Sequence, residues 1–377
     1  MVKTCTIRRF PWARPALSAF LCVALLGCSP PEPVRIGFVG GTSGRTADLG
    51  VSGHDAVQLA VEQCNEAGGV TGRRVQLIVK DDEQQPDVAR QVVQELVDEG
   101  VAVIIGPMTS GMGVAVSPIA DQAKILLMSP TVTTEELSGK DDYFFRVSST
   151  TREFARRTAL YQLKTNRMRR VAAVYDLGNR AFSENWLKNF TEAFAAGGQV
   201  VLTLGFEVGN ETTFKKVAGE LFSVEADGIL IIANSMDSAL LCQHIRRLDA
   251  KIPIVLSDWG GTERLLELGG KAVEGVNVVQ TFDRNSTAPL YQAFRQTYLE
   301  RFHREPGFPG VYAYDATNVV LESLRQRKSG QSIKETVLAI RNFEGLQSTF
   351  SFDDYGDVKR PHISISVVRD GRFLVVE

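Results

Sequence analysis

Short apolar runs alternate along the chain with longer segments in which apolar residues recur every three to four positions. Val34-Arg-Ile-Gly-Phe-Val39, Val75-Gln-Leu-Ile-Val79, Val101-Ala-Val-Ile-Ile105 and Ile125-Leu-Leu-Met128 read as strands. Between them, one segment places Val57, Ala60, Val61 and Cys64 on one face and closes at Gly68-Gly69. A second opens at Pro86, carries Val88, Val92, Val93, Leu96 and Val97, and stops at Gly100. Both are predicted helices, and strand, helix and strand in succession predict parallel βαβ units. From about Arg152 the alternation starts again. Strands are predicted at 171–175, 200–203, 228–232, 254–256 and 276–281, with helices from Glu153 and at 183–196, 214–222 and 238–248. After residue 283 the pattern changes to helices at 289–303, 310–328 and 333–342. The end is β-like: Thr349-Phe-Ser-Phe352, then Ile363-Ser-Ile-Ser-Val-Val368 and Phe373-Leu-Val-Val376 around Asp370-Gly371, a strong hairpin signal.

The ends of the predicted strands carry the candidate chemistry. In open parallel sheets, ligands bind beyond the carboxyl ends of the strands. Two hydroxyl-rich turns fall there, Gly106-Pro-Met-Thr-Ser-Gly111 and Ser129-Pro-Thr-Val-Thr133. Thr109, Ser110, Thr131 and Thr133 are therefore expected around one crevice, where a helix start after Thr109 offers unpaired N–H groups to an anion. The same residues also serve as ordinary caps and turn formers. Gly40-Gly-Thr-Ser-Gly44 satisfies neither the dinucleotide fingerprint nor a phosphate loop, so no cofactor is expected.

Composition narrows the picture further. The 377 residues suggest more than one domain, and 44% hydrophobic with 23% charged residues is an ordinary globular balance. With 42 basic and 44 acidic residues and no basic stripe, nucleic acid is not an expected partner. The four histidines are scattered, so no metal site is expected, and no Ser/His/Asp or Cys/His set marks an enzyme. Lys3, Arg8, Arg9 and Arg14 precede an apolar run over 16–26, the signature of a secretory signal peptide too short to be an ordinary membrane span. The run ends in Leu25-Leu-Gly-Cys28, which resembles the bacterial lipobox and marks Cys28 for lipidation; Ser29-Pro-Pro-Glu-Pro33 follows as a stiff spacer. Export to the periplasm or cell surface with a lipid anchor is expected. Of five cysteines, Cys64 and Cys242 remain in the body, where buried thiols are favoured over a bridge.

The order of several short segments resembles the type I periplasmic binding proteins of the leucine/isoleucine/valine-binding subfamily. These segments are Ile36-Gly37, Asn65-Glu-Ala-Gly-Gly69, Asp81-Asp82, Ile105-Gly-Pro107, Ser129-Pro-Thr-Val-Thr133, Phe145-Arg146, Tyr175-Asp176 and Tyr312-Ala-Tyr-Asp315. The resemblance implies an α/β fold of two doubly wound, Rossmann-like lobes joined by a three-strand hinge. Residues 34–150 with 284–347 would form the first lobe, and 151–283 with 348–377 the second, after a signal peptide over 1–28 and a spacer over 29–33. It implies a monomeric solute-binding lipoprotein that delivers an amino acid to ABC permease subunits, with a ligand-sensing receptor or a binder of another small carboxylate or amide as alternatives. Ser110 and the turn from Ser129 through Thr131 to Thr133 would hold the head group, and Asp258 the ammonium. Phe182 and Asn234 would form walls, and Leu49 would line the side-chain pocket. Asp258 stands where the branched-chain binders carry a longer glutamate, Asn234 where they carry an aromatic, and Trp259 adds a ring beside the acid.

Overall fold

Five parallel strands from the first part of the chain build one sheet: β1 (Val34–Val39), β2 (Val75–Lys80), β3 (Val103–Ile105), β4 (Leu126–Ser129) and β5 (Phe144–Arg146), in the order β2-β1-β3-β4-β5. Helices α1 (Ala47–Glu66), α2 (Pro86–Asp98) and α3 (Ser110–Ala123) connect them. This computed structural model describes residues 1–4, 6, 31–207, 211–359 and 362–377. The expected signal core and Cys28 lie outside the described residues. Phe144-Phe-Arg146, which the apolar pattern does not single out, forms the edge strand of this sheet; three residues are too few for a periodic signal.

The second lobe repeats the plan. Helix α4 (Thr151–Lys164) leads into β6 (Arg170–Asp176), α5 (Arg180–Phe194), β7 (Gln199–Phe206), α6 (Glu211–Leu221), β8 (Gly228–Ile232), α7 (Ser235–Leu248), β9 (Ile254–Leu256), α8 (Glu263–Gly269) and β10 (Asn277–Gln280). β8 is buried at every position, as a strand covered by helices on both faces must be. Burying each of its isoleucine and leucine side chains contributes about 1.5–3 kcal/mol.

Three helices follow: α9 (Pro289–Phe302), α10 (Gly307–Gln326) and α11 (Ile333–Ala339). α9 and α10 pack on α1 of the first lobe, where Tyr298 Oη donates to the Ser52 carbonyl at 3.3 Å and Tyr314 Oη reaches Gln63 Oε1 at 2.5 Å. α10 starts at Gly307 rather than at 310, because Pro309 falls in the first turn, where its missing N–H costs nothing. β11 (Phe343–Glu344), β12 (Thr349–Phe352) and β13 (Val358–Lys359) form a small antiparallel sheet of their own. Only β14 (Ser364–Arg369) and β15 (Arg372–Val375) join the second sheet, whose order is β15-β14-β10-β9-β8-β6-β7. Their hairpin turns at Asp370-Gly371, both left-handed at φ 51° and 67°, as the dipeptide predicts.

The small sheet is tied to the first lobe through Arg146, which is fully buried at the end of β5. Its Nε donates to Asp357 Oδ1 at 2.7 Å and its Nη1 to the Thr134 carbonyl at 2.7 Å. Cys64 and Cys242 are both buried and free.

Candidate functional site

The carboxyl ends of the first sheet open onto the predicted hydroxyl turns. The turn after β3 needs Gly106, whose φ is +114° and where a Cβ would stand 2.0 Å from the Val39 carbonyl oxygen. The chain then runs through Thr109 into α3. Ser110 Oγ accepts from the backbone N–H groups of Thr133 and Thr134, both at 3.3 Å, and so keeps its own hydrogen for another acceptor. Thr133 Oγ1 is buried without a hydrogen-bond partner. Of the two, Ser110 faces the cavity, and a hydroxyl with its hydrogen uncommitted suits a carboxylate.

From the second lobe, the segment after β9 forms a 3-10 turn, Asp258–Gly260. Trp186 Nε1 on α5 donates to Asp258 Oδ1 at 3.0 Å. Burial pushes the Asp258 carboxyl up to about 7, and the Trp186 hydrogen bond offsets that only in part. Beside it Phe182 and Trp259 meet edge to face, ring centroids 5.4 Å apart.

These elements surround a small cavity of about 10 Å3 between the closely packed lobes. The structure brings Leu49, Thr109, Ser110, Thr131, Phe182 and Asp258 together around it. It does not bring Ser129, Thr133 or Asn234 to the lining. Ser129 Oγ is spent on the turn itself, donating to the Pro107 carbonyl at 2.9 Å and accepting from Val132 N–H at 3.1 Å. Thr133 stands directly behind Ser110 through its 3.3 Å backbone bond. Asn234 is fully buried as the N-cap of α7: its Oδ1 accepts from Asp237 N–H at 2.9 Å and its Nδ2 donates to Asp237 Oδ2 at 2.7 Å. That cap also starts α7 at Ser235, three residues before the hydrophobic pattern does. Two of the lining residues are partly engaged by the protein: Thr131 Oγ1 donates to the Met108 carbonyl at 2.5 Å and Thr109 Oγ1 to Gln84 Oε1 at 3.0 Å.

Several residues that line the cavity or bridge the lobes escape sequence reasoning. Asn179, Met108 and Phe308 complete the lining. Asn179 Oδ1 reaches across the cleft to accept from Gly111 N–H at 2.9 Å, taking up one of the free amides at the start of α3. Arg45, between β1 and α1, pairs with the fully buried Asp237 of α7. Asp48 accepts from Ser235 Oγ at 2.6 Å and Thr262 Oγ1 at 2.7 Å. These contacts join the two lobes in a closed arrangement. Their only signal in the sequence is polar residues at strand ends, because each partner lies 68 to 214 positions away.

A model of the periplasmic binding protein family matches residues 33–370. The chain is 21% identical over 348 residues, 91% of its length and 94% of the relative's, to a Leu/Ile/Val-binding protein homolog of Brucella melitensis. It superposes with a TM-score of 0.84 on a leucine-binding protein from Thermotoga maritima, at 24% identity and covering 91% and 98% of the two chains. A solute-binding protein of an ABC transporter from R. palustris, solved with benzoate, gives 0.83 at 18% identity, covering 92% and 96%. With two doubly wound lobes closing on one cleft and a family match over nearly the whole described body, this chain belongs to the periplasmic binding protein family.

Proposed function

We propose that the protein is an exported, lipid-anchored solute-binding component of an ABC importer, and that its ligand is a small α-amino acid. The observation that carries this reading is the pairing of opposites across one cavity: a buried carboxyl group, Asp258, on the second lobe and the Ser110 hydroxyl at the start of α3 on the first. An amino acid is a compact zwitterion whose two charges must both be satisfied in a dry site. Asp258 answers the ammonium, and Ser110 with the Gly111 amide answers the carboxylate, displacing Asn179. There is no chemical step. The ligand bridges the lobes and shifts an open and closed equilibrium toward the closed form that a permease reads. The Leu/Ile/Val-binding and leucine-binding names of the Brucella and Thermotoga proteins support the same ligand class. Lipidation at Cys28 would hold the body at the membrane; among the described residues no helix is long and apolar enough to cross one.

A second reading has an observation of its own. Phe182, Trp259 and Phe308 put three rings in the lining, and Asp258 is neutral below about pH 7 without a cationic partner. A neutral acid beside rings favours an uncharged amide or an aromatic acid, in keeping with the benzoate found in the R. palustris neighbour. A thermal-shift screen of the purified protein separates the two. Ligand at about 100 times its dissociation constant stabilises by about 2.7 kcal/mol. Shifts confined to α-amino acids support the first reading, and shifts confined to compounds without an amine support the second.

A further inference from the structure

The space between the lobes does not end at Trp259. Beyond the indole a second chamber of about 240 Å3 widens toward solvent, and Thr109, Asn179 and Trp259 line both chambers. Its own walls include Arg45, Gln84 and Asp176.

The groups at this junction are unusual. Trp259 is only 5% exposed, yet its Nε1–H has no hydrogen-bond partner. Arg45 Nε is also buried and unpartnered, although the far end of the same guanidinium is committed to Asp237. Its position is fixed further by the Phe214 ring, with the guanidinium carbon 5.8 Å from the ring centroid. Buried N–H donors are normally satisfied, so two at one chamber point to an acceptor brought by a ligand. Asp176 supplies the opposite character. It is 2% exposed at the end of β6, and its Oδ1 accepts from Gly178 N–H at 2.7 Å. Burial raises its carboxyl to about 6, with Asp237 pushing the same way and Arg45 opposing.

Charge decides which ligand group fits. One guanidinium stands among the buried carboxyls of Asp176 and Asp237 and the exposed one of Glu83, so a ligand carboxylate would find the one cation of this lining already paired with Asp237. A ligand ammonium would meet Asp176 but leave both orphan donors unanswered and face Arg45. A neutral amide answers all of them, because its carbonyl accepts and its N–H donates. We infer that the outer chamber is a distal subsite for a carboxamide or ureido group at the far end of the ligand, with Trp259 and Arg45 donating to its carbonyl oxygen and Asp176 accepting from its N–H. This rests on the proposed function only for the position of the ligand's head, next to Asp258. It excludes a purely aliphatic side chain as the preferred cargo.

The test is calorimetric titration of the purified protein with asparagine, glutamine and citrulline against leucine, glutamate and lysine, plus glutaramic acid, which keeps the amide tip and lacks the α-amine. The subsite predicts that at least one amide- or ureido-tipped amino acid binds ten-fold or more tighter than leucine, glutamate and lysine. Trp259→Phe should narrow that preference to less than threefold. Arg45→Lys, which keeps the charge opposite Asp237 and removes the Nε donor on a partly exposed side chain, should narrow it as well and guards against a misfolded Trp259 variant. Leucine binding as tightly as the amides, a preference for the charged tips, or an amide preference that survives both substitutions overturns the subsite. Glutaramic acid binding as well as glutamine overturns the Asp258 reading and supports the subsite; tight leucine binding lost in Asp258→Ala does the reverse.

Discussion

The two faces of the cleft are built from different chemistry. The first lobe presents hydroxyls and helix-start amides, neutral groups already held by the protein: Ser110 by two backbone amides, Thr109 by Gln84 and Thr131 by the Met108 carbonyl. The second presents a buried acid, its indole partner and two further rings. Neutral dipoles fixed in a turn cost little to keep in place, whereas a carboxylate in a dry site is expensive until a cation arrives. The lesson is a division of labour. On the proposed reading, the first lobe is a ready platform for a ligand carboxylate, and the second gains most from an ammonium, so it is the half with a reason to close.

That comparison can be broken by substitution, and the largest effect belongs to the second lobe. Asp258→Ala leaves a ligand ammonium unpaired in the closed cleft, which costs on the order of 3–5 kcal/mol; calorimetry should show affinity for an α-amino acid falling by at least a hundredfold. Ser110→Ala removes one charge-assisted hydrogen bond, about 1.5–3 kcal/mol, and should weaken binding ten- to a hundredfold. If Ser110→Ala proves worse than Asp258→Ala, the assignment of the costly charge to the second lobe is wrong.

Smaller effects sharpen the same picture by separating closure from contact. Arg45→Ala breaks the pair with Asp237 only in the closed arrangement, and because Arg45 is about one-third exposed its worth is discounted to about 1 kcal/mol. Affinity for an amino acid without an amide tip, which Arg45 does not touch, should fall about fivefold while the unliganded melting temperature changes little. Asn234→Ala should do the opposite. Losing the α7 cap costs about 1–2 kcal/mol, a fall of a few degrees in melting temperature, with ligand affinity within about twofold of wild type. A large affinity loss in Asn234→Ala would return that residue to the wall of the site.

How much of this was readable in the sequence follows from range. The strands with uninterrupted apolar runs, such as Gly228-Ile-Leu-Ile-Ile232, and the Asp370-Gly371 hairpin carry their structure locally, and the sequence reading locates them. Short or interrupted elements do not: α8 is seven residues long, and β5 and β11 are shorter still. The hydroxyl turns were legible as turns, but Ser129 and Asn234 show why their roles were not. A hydroxyl or amide at a strand end has the right chemistry both to close a turn and to hold a ligand, and only its partners decide. Asn179 and Arg45 act on residues of the opposite lobe, so nothing near them in the chain announces the contact.

The most direct measurement of the central claim is the dissociation constant of an α-amino acid that the thermal-shift screen identifies, followed from pH 5 to 9. Burial places the unliganded Asp258 carboxyl at about 7, and an ammonium partner must pull it lower in the complex. Binding then requires the ionised form, so affinity should be level above about pH 7 and fall roughly tenfold per pH unit below it. Asp176→Asn, which removes the neighbouring carboxyl raised to about 6, should leave that break in place. Affinity that stays flat through pH 7, or that rises as the pH falls, would contradict the account and assign Asp258 the role of a neutral hydrogen-bond donor instead.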